Sequence, residues 1–269
     1  MNRPESSLQT RPQGQTTQTV PLVEIFSAIQ GEGLNVGTRQ IFIRFGGCDL
    51  RCTFCDSAHT WHAQSTCRIE QTPGQRDFEV FPNPIEISKL VAWVERQNQP
   101  KLHDSISLTG GEPLLHADFL AEFLPVMRDR ISLPIYLETG GHRPDELAQI
   151  LPYLDLVGMD LKLPSVSGEA HWEAHQTFLE YCDRSEVEVF CKAIVSSATD
   201  LGDLERAANL LAEVNPAIPL FLQPVTPLNA KGQPVPPTPD QILYWQSQLK
   251  QQLHSVRVIP QTHKMINQL

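Results

Sequence analysis

Apolar residues fall along this chain in short bursts of two alternating kinds. Val23–Phe26, Gln40–Phe45, Ser105–Thr109, Ile135–Glu138, Leu156–Leu161, Val187–Val195, Leu220–Leu222 and Val256–Ile259 are runs of strand length. Between them, apolar residues recur at helical spacing. Ile87, Leu90, Val91 and Val94 form one such face, with Asn83 as N-cap and Pro84 at the first helical position. Further helices are expected at Leu115–Arg130, Asp145–Ile150, Glu169–Tyr181, around Leu204, Ala207, Ala208 and Leu211, and after Thr238-Pro239, where Ile242, Trp245, Leu249 and Leu253 line one side.

Strand–helix alternation of this kind predicts an α/β fold with parallel strands and right-handed crossovers. An open doubly wound sheet and a (βα) barrel both satisfy it, and both gather ligands at the C-terminal ends of the strands. The conspicuous residues lie there. Cys48 follows the first core strand, Gly110-Gly111-Glu112 the second and Thr139-Gly140-Gly141 the third, with Lys162 and Gln223 past later ones. Residues 1–19 are polar, lack periodicity and are expected to form a disordered tail; order is expected over residues 20–269.

Composition narrows the partners. A net charge of −10 argues against direct nucleic-acid binding. No apolar run reaches the length of about 18 residues needed to span a membrane. The N-terminus MNRPESSLQT lacks the apolar core of a secretory signal, so a cytoplasmic, reducing location is expected. There, clustered cysteines more often bind metal or do chemistry than form disulfides.

Three of the six cysteines, Cys48, Cys52 and Cys55, form a C-x3-C-x2-C loop. Thiolates are what an iron–sulfur cluster requires, and three on one loop leave one iron open or served by a distant ligand. Zinc sites are more often two C-x2-C pairs, and one is present here. Cys191 sits within a strand and Cys182 near a helix end, both as packing residues, while Cys67 falls in a long loop.

This loop, followed by a strand ending in Thr109-Gly110-Gly111-Glu112-Pro113, resembles the radical S-adenosylmethionine (SAM) superfamily. The resemblance implies a partial (βα)6 barrel with the cofactor site at the C-terminal strand ends. It also implies one [4Fe–4S] cluster on Cys48, Cys52 and Cys55, with SAM chelating the open iron and yielding a 5′-deoxyadenosyl radical. Phe26–Gly33, Ile41–Arg44, Cys55-Asp56-Ser57, His59-Thr60-Trp61 and Gln261–Lys264 further resemble the 7-carboxy-7-deazaguanine synthase family. That family contracts 6-carboxy-5,6,7,8-tetrahydropterin to 7-carboxy-7-deazaguanine with loss of ammonia, in queuosine and 7-deazapurine biosynthesis.

By that likeness SAM would meet Phe54, Cys55, Asp56, Gly111, Glu112, Asp160, Leu161, Lys162 and Gln223. The substrate would meet Ile29, Gln30, Gly31, Glu32, Arg44, Thr109, His263 and the terminal Leu269. Arg44 offers a fork for a carboxylate and Glu32 an acceptor pair for the guanidine-like pterin edge. His263 is also placed for proton transfer. Ser57 stands where the family usually has Thr as a ligand to Mg2+, a hard cation that hydroxyl oxygen suits. A homodimer and a flavodoxin- or ferredoxin-type electron donor are implied. Asp160-Leu161-Lys162 resembles the Asp-x-Lys of glycyl-radical activating enzymes, which keeps an activase as the enzymatic rival. An iron–sulfur electron carrier or a zinc module is the non-enzymatic one. The stretches 58–83 and 226–237 resemble insertions in this family.

Overall fold

The computed structural model describes residues 18–226 and 234–268. The element order is β1 (Thr19–Val20), β2 (Leu22–Ile29), β3 (Arg39–Phe45), β4 (Thr66–Glu70), β5 (Phe78–Pro82), β6 (Ile85–Glu86) and α1 (Ile87–Gln97). Four strand–helix units follow: β7 (Ser105–Gly110) with α2 (Ala117–Arg130), β8 (Ile135–Thr139) with α3 (Pro144–Ile150), β9 (Leu156–Leu161) with the short α4 (Pro164–Ser167) and α5 (Trp172–Asp183), and β10 (Glu188–Val195) with α6 (Leu201–Val214). The chain closes with β11 (Leu220–Pro224), α7 (Pro239–Leu249), β12 (Val256–Val258) and α8 (Thr262–Met265).

Ten strands form one sheet in the order β12-β11-β10-β9-β8-β7-β3-β2-β4-β5. From β3 through β12 every pairing is parallel. The sheet is open, with β12 and β5 at its edges, which matches the partial barrel rather than a closed one. The expectation of parallel strands fails on one flank. β2 runs antiparallel to β3, and a β4–β5 hairpin extends the sheet beyond it. The stretch 58–83 therefore contains the β4–β5 hairpin. Cys67, expected in a loop, is buried in β4.

Strand parity divides the chemistry from the core. Side chains of a strand alternate between its faces. Ile41, Ile43 and Phe45 of β3, Ile106 and Leu108 of β7, Leu137 of β8, Val157, Met159 and Leu161 of β9, and Cys191, Ala193 and Val195 of β10 face the helices in one continuous core. The intervening residues face inward. A small cluster of Tyr136, Leu156, Phe190 and Phe221 fills the lower interior.

Local sequence explains most element ends. Thr238 accepts from Gln241 N at 3.2 Å while Gln241 Oε1 accepts from Thr238 N at 2.9 Å, a capping box that starts α7. Asp200 Oδ1 accepts from Gly202 N at 2.7 Å and starts α6. Asn83 does not cap α1, which begins after the β6 strand residues Ile85 and Glu86. Its side chain instead donates to Leu22 O at 2.6 Å and accepts from Leu22 N at 3.1 Å, fixing the start of β2.

Candidate active site

The inward faces of the strands enclose a cavity of about 500 Å3. Phe42 and Arg44 come from β3, Thr109 from β7, Tyr136 and Glu138 from β8, Gly158 and Asp160 from β9, Phe190 and Lys192 from β10, and Gln223 from β11. Cys48, Cys52 and Cys55 line its mouth together, while Cys67, Cys182 and Cys191 do not line it. Burial pushes the Cys52 thiol up to about 11, so this thiolate requires a cation beside it. Among the described residues no three His, Cys, Asp or Glu side chains form a single-ion site. Three thiols on one rim without a common ion-sized point suit the corners of a cluster better than a zinc knuckle.

The cysteine loop is held by backbone contacts. Glu112 N donates to Gly47 O at 2.8 Å and Gly111 N to Phe45 O at 3.0 Å. A Cβ on Gly111 would lie 1.9 Å from Gly47 O, so only glycine allows this approach. Glu112 is buried with both oxygens engaged. Oε1 accepts from Leu114 N at 3.0 Å and Thr139 Oγ1 at 2.8 Å, and Oε2 accepts from Gly140 N at 2.8 Å. Its first task is to join the β7 and β8 ends.

On the SAM side of the expected site, Lys162 Nζ donates to Asp160 Oδ2 at 2.9 Å and lies 5.5 Å from the Phe54 ring centroid. Burial alone would lower the Lys162 pKa, but Asp160 and Cys52 hold it above its usual value. Asp160 Oδ1 and Gln223 Oε1 are buried without a partner. The Leu161 side chain does not face this set. It lies between Asp160 and Lys162 on the opposite face of β9, in the core.

On the substrate side, Glu32 is bound by Lys192 Nζ at Oε2 and by Gln261 Nε2, 2.7 Å away, at Oε1. Burial raises the Glu32 pKa, but the charge and hydrogen bond of Lys192, together with the hydrogen bond from Gln261, outweigh it and leave the carboxyl below its usual value. Gln30 is already committed. Its Nε2 donates to Glu138 Oε1 at 2.6 Å and to Gln40 Oε1 at 3.1 Å, and its Oε1 accepts from Glu32 N at 3.0 Å. It shapes the pocket around Glu32 rather than presenting a free amide. Thr109 Oγ1 likewise donates to Glu138 Oε2 at 2.9 Å.

Arg44 Nε donates to Glu24 Oε1 at 2.8 Å, and its guanidinium lies 5.4 Å from the Phe26 centroid. That ion pair fixes the fork, which still faces the cavity. Ile29 and Gly31 line the same wall. His263 packs on Gly31, where a Cβ would fall 2.2 Å from its Nδ1. Thr262 N donates to Gly31 O at 3.0 Å, so the C-terminal segment docks by backbone on the β2 end. Burial lowers the His263 pKa and favours the neutral ring. Ser57 lines the cavity and its Oγ donates to Asp56 Oδ1 at 3.1 Å. Leu269 lies outside the described residues.

Sequence reasoning missed Glu138, Lys192, Gln261 and Lys264 as site residues. Lys264 Nζ donates to Asp56 Oδ2 at 2.6 Å, and Gln261 Nε2 donates to the same oxygen at 2.9 Å. Gln261 thus ties the cysteine loop to Glu32. Lys192 shared a usable signal with Asp160, its direct neighbour in the β9–β10 register.

The sequence matches the radical SAM superfamily over residues 42–195. It is 44% identical over 251 residues to the 7-carboxy-7-deazaguanine synthase of Geobacter sulfurreducens, covering 92% of this chain and 97% of that one. The chain belongs to the 7-carboxy-7-deazaguanine synthase family of radical SAM enzymes. A Thermococcus kodakarensis member is 32% identical, over 78% of this chain and 85% of its own. In fold, the chain resembles QueE from Escherichia coli, with a TM-score of 0.57 at 20% identity, over 90% of this chain and 94% of that one. A radical SAM methyltransferase from Sphaerobacter thermophilus gives a TM-score of 0.58 at 14% identity, over 90% and 77%.

Membership in the radical SAM 7-carboxy-7-deazaguanine synthase family makes the chain a radical SAM lyase with a [4Fe–4S] cluster and SAM as cofactors. The residues present fit both groups. Three thiols with suppressed ionisation, Cys52 buried and Cys48 and Cys55 partly so, share one rim, and two orphaned buried oxygens, on Asp160 and Gln223, face the same cavity.

Proposed function

We infer that this protein performs the radical ring contraction of 6-carboxy-5,6,7,8-tetrahydropterin to 7-carboxy-7-deazaguanine with release of ammonia. The observation that carries the reading is one cavity that joins the three-cysteine rim to the Glu32, Arg44 and Thr109 wall. Cys48, Cys52 and Cys55 would hold the cluster. Gly111, Phe54, Asp56, Asp160, Lys162 and Gln223 would hold SAM, with Cys55 beside it. When bound, the cluster and SAM supply a 5′-deoxyadenosyl radical that abstracts a substrate hydrogen.

The chain's own residues orient the substrate and exclude water. Glu32 keeps one lone pair on each oxygen after its bonds to Lys192 and Gln261, enough for two parallel N–H donors of a guanidine-like edge. Arg44, its Nε fixed by Glu24, turns its remaining fork toward a carboxylate. Thr109 borders the substrate with its hydroxyl aligned by Glu138. His263 closes the wall over Gly31 as a neutral ring able to hold or accept a proton. Ser57, beside Asp56, offers oxygen to Mg2+. Residues 20–269 act as the catalytic domain, in the cytoplasm, as a homodimer served by a flavodoxin- or ferredoxin-type donor. No helix among the described residues is long and apolar enough to cross a membrane.

Anaerobically reconstituted protein given SAM, a low-potential reductant, Mg2+ and the carboxytetrahydropterin should form the deazaguanine chromophore. Deoxyadenosine without any ring-contracted product would contradict the assignment.

A further inference from the structure

Lys192 belongs to no element of the sequence motifs, yet it lines the cavity. It lies in the interior of β10, is half-buried, and faces Glu32 from the opposite side of the barrel. Its Nζ bonds Glu32 Oε2, and the carboxylates of Asp160 and Glu138 also act on it. Glu32 belongs to the turn after β2, held by Gln30 through its backbone N–H. A carboxylate in that position needs a cation, because burial penalises its charge. Lys192 is the cation bonded to it, while Asp56 works in the opposite sense.

We infer that Lys192 is a positioning residue for substrate recognition: it keeps the Glu32 carboxylate charged and aimed, so that two N–H donors of a planar guanidine-like edge find two acceptors. The inference rests on reading Glu32 as the partner of that edge. Lys192 thereby acts through Glu32, not on the substrate's own carboxylate, which Arg44 is placed to take.

The geometry supports this division. Lys192 occupies one lone pair of Oε2 and Gln261 one of Oε1, leaving a matched pair of acceptors side by side. Without the ammonium, the buried carboxyl would retain a proton to higher pH. One acceptor would then become a donor, and a donor facing an N–H group repels it. Three other titratable groups facing the pair keep a constant state near neutrality. Burial holds His263 neutral, burial holds the Tyr136 phenol neutral, and Lys264 keeps Asp56 ionised against its own burial.

The test uses the anaerobically reconstituted, SAM-loaded protein and two unreactive probes. One is 6-carboxypterin, the oxidised form of the substrate, and the other is pterin, which lacks the carboxylate. Affinity for each is measured by fluorescence titration from about pH 6 to about pH 9. Wild-type protein and Lys192→Arg should bind with affinity that is flat in the lower half of that range and falls alike in both in the upper half, where the ring N–H of an oxidised pterin itself ionises. Lys192→Met should weaken both probes about 100-fold near neutrality, the scale of losing hydrogen bonds to a charged group. Its affinity relative to the wild-type protein should recover as pH rises. In a Glu32→Gln background, adding Lys192→Met should change affinity less than threefold, and this pair stays informative if Lys192→Met alone fails to fold.

Loss by Lys192→Met of 6-carboxypterin binding alone would assign the lysine to the carboxylate and overturn the inference. So would unchanged affinity with an unchanged pH profile, or a further large loss in the Glu32→Gln background. Failure of the wild-type protein to bind either probe would overturn the substrate reading itself, and the inference with it.

Discussion

Gln30 Nε2 donates to Glu138 Oε1 at 2.6 Å, tying the residue after β2 to the end of β8 across the cavity. Ser107 at 3.4 Å and Thr109 at 2.9 Å donate to the same carboxylate. Glu138 is therefore the acceptor hub on which three strands align. Its removal should act on substrate binding, since the donors it orders include Thr109 and the amide that fixes Glu32.

Glu138→Leu leaves those donors facing apolar surface. Each buried donor without a partner costs about 1–3 kcal/mol. Thermal unfolding should shift downward, by about 2–4 °C for each kcal/mol lost in a chain of this size. KM for the pterin should rise at least tenfold, while the absorbance of the reconstituted cluster stays unchanged. An unaltered KM in a folded variant would remove Glu138 from the site.

Gln261 gives a second, separable effect. Its amide donates to Glu32 Oε1 at 2.7 Å and to Asp56 Oδ2 at 2.9 Å, bridging substrate wall and cysteine loop. Gln261→Ala should raise KM about tenfold through the lost charge-assisted bonds. Lys264 still pairs with Asp56 in that variant, so SAM affinity by equilibrium dialysis should change less than twofold. A larger change in SAM affinity than in substrate KM would reverse the assignment.

Much of this site was legible because strand parity is local. Gln40–Phe45, Ser105–Thr109 and Leu156–Leu161 alternate cleanly, and their even or odd positions place Arg44, Thr109 and Asp160 inward. The same rule turns the Leu161 side chain away from the cavity, leaving its backbone for the contact that the family likeness includes. It would also have included Lys192 and Glu138, had parity been applied to β10 and β8. What no local rule reveals is the partner. Glu32 and Lys192 are 160 residues apart, and Gln261 and Glu32 are 229 apart. Long-range pairing decides which polar residues are free for substrate and which, like Gln30 and Glu112, are committed to each other. Asn83-Pro84 failed for a related reason: the helix-cap pattern was local, but the Leu22 backbone claimed the amide.

The cysteines divide into two groups with opposite expectations. Cys52→Ala removes one of the three thiols on the cavity rim and should abolish both the cluster absorbance and deoxyadenosine formation. Cys191 is fully buried on the helix-facing side of β10. Cys191→Ala should retain both signals and cost on the order of 1 kcal/mol of stability from lost packing. Equal loss of iron in the two variants would contradict the ligand assignment.

His175 should make the fold sensitive to acid. It is fully buried, its Nε2 lies 3.0 Å from Gly140 O, and its Nδ1 has no partner. Burial lowers its pKa to about 3. In the unfolded chain the ring takes a proton near pH 6.5. Below that value the unfolded state binds a proton that the folded state refuses, so stability is full above about pH 6.5 and falls as pH drops toward 3. Each pH unit in that window costs about 1.4 kcal/mol, or about 2 kcal/mol by pH 5. His103, lowered to about 4 by its own burial, adds a second loss of the same sign. His175→Gln keeps an N–H donor for Gly140 O and removes the titration, so denaturant unfolding between about pH 5 and pH 7 should lose about one proton of slope. A slope equal to that of the wild-type protein would show that His175 is not held neutral by the fold.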